Sequence, residues 1–263
     1  MLYQSDELLS MKVSVLSSGS KGNCTYIETI NHKILIDIGT SALYVERSLR
    51  TIGVEPKDID MIFITHAHID HVGGLRVFCK KYNPKVYISE KILKESNLKL
   101  ENIIIDEDIL IDSDIRVRSI RLSHDVKDIK GYVIEEDNDS MVYITDTGYI
   151  NEKSFEYIKN KNLYVFESNH DIEMLMNNPK YPHHTKIRIL SDKGHLSNKD
   201  SAYYLTKLIG ENTHHIILAH LSEQNNTEEL ALSTLKETLE RKNINFKNIK
   251  IARQNEMTEF VEV

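Results

Sequence analysis

Short apolar runs separated by polar turns fill the first part of the chain. Residues 13–16, 26–29 and 33–38 have the pattern of strands, the last ending at Asp37-Ile38-Gly39. The continuous apolar runs 61–64 and 86–88 predict strands buried on both faces. Residues 43–49 read as a helix that stops at Gly53. The acidic, alternating stretch 103–111 predicts an exposed edge hairpin. Further strands are predicted at 115–120, 131–135, 141–144, 163–166 and 215–218. Two helices lie among them, 199–209 behind a Ser197-Asn198 cap and 228–241 behind Asn226-Thr227. In the second, Leu232, Leu235 and Leu239 form one apolar face. Its acids come early and Arg241-Lys242 late, as the helix dipole prefers.

Strand-rich runs with helices interspersed in each half predict two packed sheets with helices outside, an α+β sandwich, not strict βαβ units. At 263 residues the chain can bury a full core. Nothing from Met11 onward reads as a linker, so residues 11–263 are expected to form a single domain. Residues 1–10, MLYQSDELLS, lack a strand pattern and are expected to be an N-terminal extension. A net charge of -7 argues against the broad basic surface of a non-specific nucleic-acid binder. It leaves room for a metal centre that supplies its own positive charge to a phosphate. Cys24 and Cys79 make no disulfide framework, and no segment looks like a signal peptide or membrane span. The expected compartment is the cytoplasm, with no membrane partner.

The candidate chemistry concentrates in Thr65-His66-Ala67-His68-Ile69-Asp70-His71, directly after the apolar run 61–64. Metal-binding side chains crowded at the mouth of a sheet are costly to desolvate unless an ion offsets that cost. His66 and His68, two apart, can point the same way on an extended segment, while Asp70 and His71 fall in the next turn and face a second point. One ion on each pair is the natural reading. Four later residues also stand just past apolar strands: His124, Asp146, His195 and His220. Each alone is as well read as a turn or packing residue. Together they complete the ligands for two ions, with Asp146 able to bridge.

The phrase His-x-His-x-Asp-His, between a buried strand and Gly73-Gly74, resembles the metallo-β-lactamase superfamily, and the resemblance covers residues 11–263. It implies a four-layer αββα sandwich of two mixed sheets with metals at one edge. Matched position by position, it implies His66, His68 and His124 on one ion, Asp70, His71 and His220 on the other, and Asp146 between them. Asp37, closing the strand 34–36, would brace the metal loop. Ser18-Gly19-Ser20-Lys21-Gly22-Asn23, Thr145-Asp146-Thr147-Gly148-Tyr149, Glu167-Ser168-Asn169-His170-Asp171 and Gly194-His195-Leu196-Ser197-Asn198 narrow the resemblance to the bacterial YycJ/WalJ family. That family is described as DNA exonuclease-like, working from the 5′ end, and is related to RNA-processing enzymes. Two divalent ions are implied; histidine nitrogens suit Zn²⁺, and nucleases with such ligands also function with Mn²⁺.

A hydroxide bridging two ions would attack phosphorus in line, with Asp70 orienting it and His195 serving the departing oxygen. Glu167 is expected to fix the tautomer of a ligand histidine. Ser197 and Asn198 either donate to the phosphate or simply cap a helix. The loop 19–23, with Asn23, either offers contacts to substrate or is a structural turn. His170 is either a packed histidine behind the ligands or an additional contact. Lys180, Lys186, Arg188 and Lys193 form a basic run leading into His195, in which Lys186 and Arg188 are candidate substrate contacts. Arg241, Lys242, Lys247, Lys250 and Arg253 form another.

Only 21 residues separate His124 from Asp146, 73 separate Asp146 from His220, and 43 follow His220. These are too few for a tRNA-gripping arm, an inserted cap domain or an added thioesterase domain. A compact phosphodiesterase acting on nucleic acid, DNA before RNA, is the leading expectation. The alternatives are a small-molecule phosphodiesterase, another ester, thioester or lactone hydrolase, or a non-enzymatic metal sensor.

Overall fold

The computed structural model describes residues 10–105, 109–112 and 114–263; the expected N-terminal extension lies outside them except for Ser10. The first half opens with three antiparallel strands, β1 (Lys12–Ser17), β2 (Cys24–Glu28) and β3 (Lys33–Ile36). Helix α1 (Ala42–Thr51) then carries the chain to the parallel strand β4 (Met61–Phe63). After α2 (Ile69–Val72) and α3 (Leu75–Tyr82) come β5 (Lys85–Ile88), α4 (Glu90–Ser96) and β6 (Ile103–Ile105), both strands again parallel.

The second half repeats this plan. Strands β7 (Ile109–Asp112), β8 (Ile115–Arg121), β9 (Lys130–Glu136) and β10 (Asp139–Ile144) form an antiparallel meander. Helix α5 (Phe155–Ile158) leads to β11 (Leu163–Glu167), parallel to β10. Helices α6 (Ile172–Asn177), α7 (His183–Ile189) and α8 (Asn198–Leu208) precede β12 (His215–Ala219). Helix α9 (Glu228–Arg241) precedes β13 (Ile249–Ile251), and both strands are parallel to their neighbours. The short β14 (Val261–Glu262) returns to the first sheet and pairs with β1. The orders are β14-β1-β2-β3-β4-β5-β6 and β13-β12-β11-β10-β9-β8-β7.

The predicted edge hairpin at 103–111 is not a hairpin. Its two ends, β6 and β7, are the outermost strands of different sheets. Exposure at a sheet edge gives the same alternating, acidic pattern whether or not the two strands pair with each other. The pattern therefore located edges correctly and joined them wrongly.

Alternation along the strands builds three apolar layers. Ile34, Ile36, Met61 and Phe63 face Tyr132, Ile134, Met141 and Tyr143 between the sheets. Leu35, Ile62 and Val86, of opposite parity, pack beneath α1, α3 and α4. Val142, Tyr164, Phe166 and Ile216 pack beneath α8 and α9, which contribute Leu205, Leu208, Leu235 and Leu239. Among the described residues no helix is long and apolar enough to cross a membrane.

The sheets are also stitched by polar bonds at one edge. The Tyr132 hydroxyl donates to the Ile64 carbonyl at 2.6 Å, and the Lys130 N–H donates to the Thr65 carbonyl at 2.9 Å. Both acceptors sit in the segment entering the histidine cluster. Removing the hydroxyl by Tyr132→Phe should lower unfolding free energy by about 1–3 kcal/mol, the cost of a buried hydrogen bond lost on one side. Urea titration followed by circular dichroism measures it.

Candidate metal centre

The polar residues singled out in the sequence gather where strands of both sheets end. His66 and His68 follow β4, and His68 is the N-cap of α2, which carries Asp70 and His71. His124 follows β8, Asp146 follows β10, Glu167 ends β11 and His220 follows β12. Carboxyl ends of parallel strands are the usual mouth of such sheets. Three non-glycine residues here take left-handed backbone angles, Asp37 (φ 60°), Asp146 (φ 59°) and His220 (φ 56°), turning the chain sharply at the strand end.

The ligand-type atoms form overlapping groups in which all lie within 4.8 Å of one another: His66, His68 and His124; His66, His71 and Asp146; Asp70, His71 and His220. Asp146 joins them, one carboxylate oxygen 3.2 Å from His71 Nε2 and the other 3.4 Å from His220 Nε2. His66 Nε2, His220 Nε2 and Asp146 Oδ2 are buried and find no hydrogen-bond partner among the described residues. Orphaned buried acceptors of this kind are rare unless an ion or water completes them. The donor set therefore fits divalent metal.

A fourth group, Asp146, Glu167, His195 and His220, is also close enough for an ion. Its Glu167 is already committed, however. One oxygen accepts from Thr147 N–H (2.9 Å) and Leu196 N–H (3.1 Å), and the other lies 2.7 Å from His195 Nδ1 and 3.2 Å from His220 Nδ1.

Hydrogen bonds behind the cluster set which imidazole nitrogen faces it. His71 Nδ1 is 2.7 Å from Asp37, His220 Nδ1 is held by Glu167, and His124 Nδ1 is 3.0 Å from the Gly194 carbonyl. Each partner accepts from Nδ1–H and turns Nε2 toward the cluster, where an ion would meet it. Asp37, fully buried, also accepts from the Thr65 N–H (2.9 Å) and Thr65 hydroxyl (2.8 Å).

Electrostatics express the same demand for positive charge. Burial pushes the His66 imidazole well below its ordinary value, and neighbouring His71 adds to this. Burial also opposes charge on His71 and His220, yet the surrounding carboxylates, Asp146 foremost, raise both, His220 to about 10. Burial opposes ionisation of Asp146 and Asp70, but His220 and His71 hold both carboxyls far below the usual range. Protons on His71 and His220 thus balance the carboxylates, and bound cations would take over that balance as the protons leave.

The loop 17–23 serves the centre from behind. The Ser18 hydroxyl accepts from the His220 N–H at 2.8 Å, and the Asn23 N–H donates to the Asp70 carbonyl at 2.8 Å. The Asn23 side chain lies 3.0 Å from His71 Nε2 and bonds both ways with Gly19, so it holds the metal loop. Gly39 is forced by this packing: a Cβ there would sit 1.6 Å from the Asp70 carbonyl oxygen.

The candidate substrate contacts have other partners. Ser197 caps α8 through the Asp200 N–H, and Asn198 is buried in a network with Ser168 and Asn226. Arg188 pairs with Asp125, itself 3.1 Å from His124, and Lys186 donates to the Met176 carbonyl. His170 is buried against the start of α8, its ring nitrogens unpartnered among the described residues; burial pushes it down to about 4.

Thr65 and Asp125 stand beside candidate ligands in the sequence but take no role there, because neither residue type marks a site by itself. Ile69 takes none either, although an apolar residue inside a polar loop is a readable signal; it is 77% exposed between His68 and Asp70.

A family model described as the metallo-beta-lactamase superfamily matches residues 18–185. The chain belongs to that superfamily, which with these clusters supports a hydrolase that uses divalent metal. It is 39% identical over 241 residues to exodeoxyribonuclease YycJ of Bacillus anthracis, across 89% of this chain and 91% of that protein. It is 36% identical over 236 residues to exodeoxyribonuclease WalJ of Streptococcus pneumoniae, across 86% and 87%. The metallo-beta-lactamase fold protein YhfI of Bacillus subtilis shares the fold, with a TM-score of 0.71 at 14% identity over 95% of this chain and 99% of that one.

Asp37→Asn keeps the shape but places an amide against Thr65 and His71. Metal affinity should drop about 10- to 100-fold, as for other partners of ligand histidines. Chelator competition measures it, and an unchanged affinity would remove Asp37 from this role.

Proposed function

We propose that the protein is a dinuclear phosphodiesterase that degrades DNA from the 5′ end. The observation that carries the reaction class is His195. It flanks the grouped ligand atoms, its Nδ1 is fixed by buried Glu167, and its ring stands 4.9 Å from that of His124 and 5.4 Å from that of His220. This is where a departing oxygen needs a proton. Likeness to exodeoxyribonucleases over nearly nine-tenths of the chain supports DNA as the substrate and an end as the point of attack.

His66, His68 and His124 would hold one ion, Asp70, His71 and His220 the other, with Asp146 shared; Zn²⁺ and Mn²⁺ both suit these donors. Bound there, the ions supply Lewis-acid neutralisation of phosphate charge and acidify water. Asp70, whose side chain is 19% exposed, faces the opening and stays ionised, so it can accept a hydrogen bond from the attacking water and aim it at phosphorus. Glu167 accepts from His195 Nδ1–H and fixes the ring, so that Nε2 is the nitrogen that would deliver a proton to the departing oxygen. His124, anchored by Gly194, and His195, the next residue, are held in fixed relation by one backbone segment.

The test is hydrolysis of 5′- and 3′-labelled single- and double-stranded DNA and RNA beside bis-p-nitrophenyl phosphate, a lactam and a thioester, with Zn²⁺ or Mn²⁺. DNA should shorten from its 5′ end. Asp70→Asn and chelation should abolish the reaction, and His195→Ala should lower kcat about 10²- to 10⁴-fold. Turnover of bis-p-nitrophenyl phosphate without any nucleic acid would favour a small-molecule phosphodiesterase. Turnover confined to the lactam or thioester would refute the proposal.

A further inference from the structure

A groove of about 620 Å³ on the second sheet is lined by Arg118, Arg121, Ser123, Tyr149, Lys153 and Tyr157. Its lining adjoins the candidate ligands along the chain: Ser123 immediately precedes His124, and Tyr149 follows Asp146 by three residues. The two segments are joined at its head. The Ser123 N–H donates to the Thr147 hydroxyl at 3.1 Å, and the Gly148 N–H donates to the Ser123 carbonyl at 3.0 Å.

Its cations stand among aromatic rings, which sets it apart from the other basic runs. In those runs Lys180, Lys186, Lys193, Lys242 and Lys247 likewise form no ion pair among the described residues, while the arginines and Lys250 are paired. On α7, Arg188 is neutralised by Asp125. Near the C-terminus, Arg253 pairs with Glu228 and Glu256, Lys250 with Glu259, and Arg241 with Glu237. In the groove, Arg121 and Lys153 form no ion pair among the described residues, and Arg118 lies over the Tyr157 ring at 4.1 Å. Three cations against the one carboxylate of Glu156 make it positive on a chain whose net charge is -7. Two partly exposed tyrosines, Tyr149 (40%) and Tyr157 (36%), offer ring faces among those cations.

We infer that this groove carries the continuing single strand of the substrate away from the metal centre, Arg121 and Lys153 meeting phosphates and Tyr149 and the Arg118–Tyr157 pair stacking on unpaired bases. The inference rests on the reading of the protein as a nuclease. Cations spaced among aromatic faces suit an unpaired strand, whose bases are free to stack, and not a closed duplex.

The experiment is steady-state cleavage by the metal-loaded full chain of a labelled single-stranded DNA of about 15 nucleotides. Arg121→Glu with Lys153→Glu should raise KM at least tenfold. The slope of log affinity against log salt should shrink by roughly 1.4, about 0.7 for each lost phosphate contact. Tyr149→Ala should raise KM about tenfold with a near-unchanged salt slope, because stacking releases no counterions. The comparator Lys91→Glu with Lys236→Glu, of equal charge change on α4 and α9, should keep the original KM, and metal content per chain should match throughout. An unchanged KM in the groove variants, or an equal rise in the comparator, overturns the groove and leaves the nuclease reading standing. An unaltered protein that neither binds nor cuts the strand overturns both.

Discussion

The buried carboxylate of Asp37 is the constraint on which the metal loop depends. An ionised group with no solvent exposure costs several kcal/mol in lost hydration. Burial pushes the Asp37 carboxyl above its usual range, and His71 Nδ1, the Thr65 N–H and the Thr65 hydroxyl together offset part of that cost. Those three bonds fix the end of β3 to the end of β4 and to α2. Because the His71 ring can turn only one way under them, its Nε2 is committed to the centre before any ion arrives. Glu167 does the corresponding work in the second sheet, where one carboxylate orients His195 and His220 and holds the backbone after Asp146.

The two halves therefore make the same kind of contribution. Each presents an antiparallel meander leading into parallel strands, and each ends a central strand in a buried acid that organises histidines. The left-handed residues at 37, 146 and 220 let short side chains fold back over the sheet edge instead of continuing outward. Such angles cost about 1–3 kcal/mol each for a non-glycine residue, though Asp and His take them more readily than most. They persist because the hydrogen bonds around them leave no alternative path.

Much of this could be read from the chain alone. Apolar runs such as 61–64 located the buried strands, and the spacing of His66, His68, Asp70 and His71 located the centre, because ligand geometry is written in local sequence. Helix α3 was missed: its buried residues, Leu75, Phe78 and Cys79, are interleaved with lysines and arginine that blur the face. Strands β6 and β7 were joined because edge exposure does not encode a partner. Ser197 and Asn198 looked equally suited to capping and to binding phosphate; Ser197 caps α8, and the network around Asn198 reaches Ser168 and Asn226, far along the chain and outside any local pattern. Asn23, read either as a substrate contact or as part of a structural turn, bonds to Asp70 and lies against His71, contacts between residues 47 and 48 positions apart that no local pattern reveals.

The return of β14 to β1 has a consequence for how the molecule comes into being. Lys12 is paired with Glu262, and Val15 with Thr258, so the edge of β1 stays uncovered until a segment 243 positions further along the chain reaches it. Gln254 likewise secures the loop 17–23 through Ser17 and Lys21. Contacts this far apart in sequence are slow to form and cannot mature during synthesis. The loop that steadies His220 and Asp70 thus sets only after residue 254 is made, and until then a nascent chain carries its earlier histidines without the scaffold that aims them. The geometry around His220 and Asp70 is therefore completed only once residues 254–262 have docked on the first sheet.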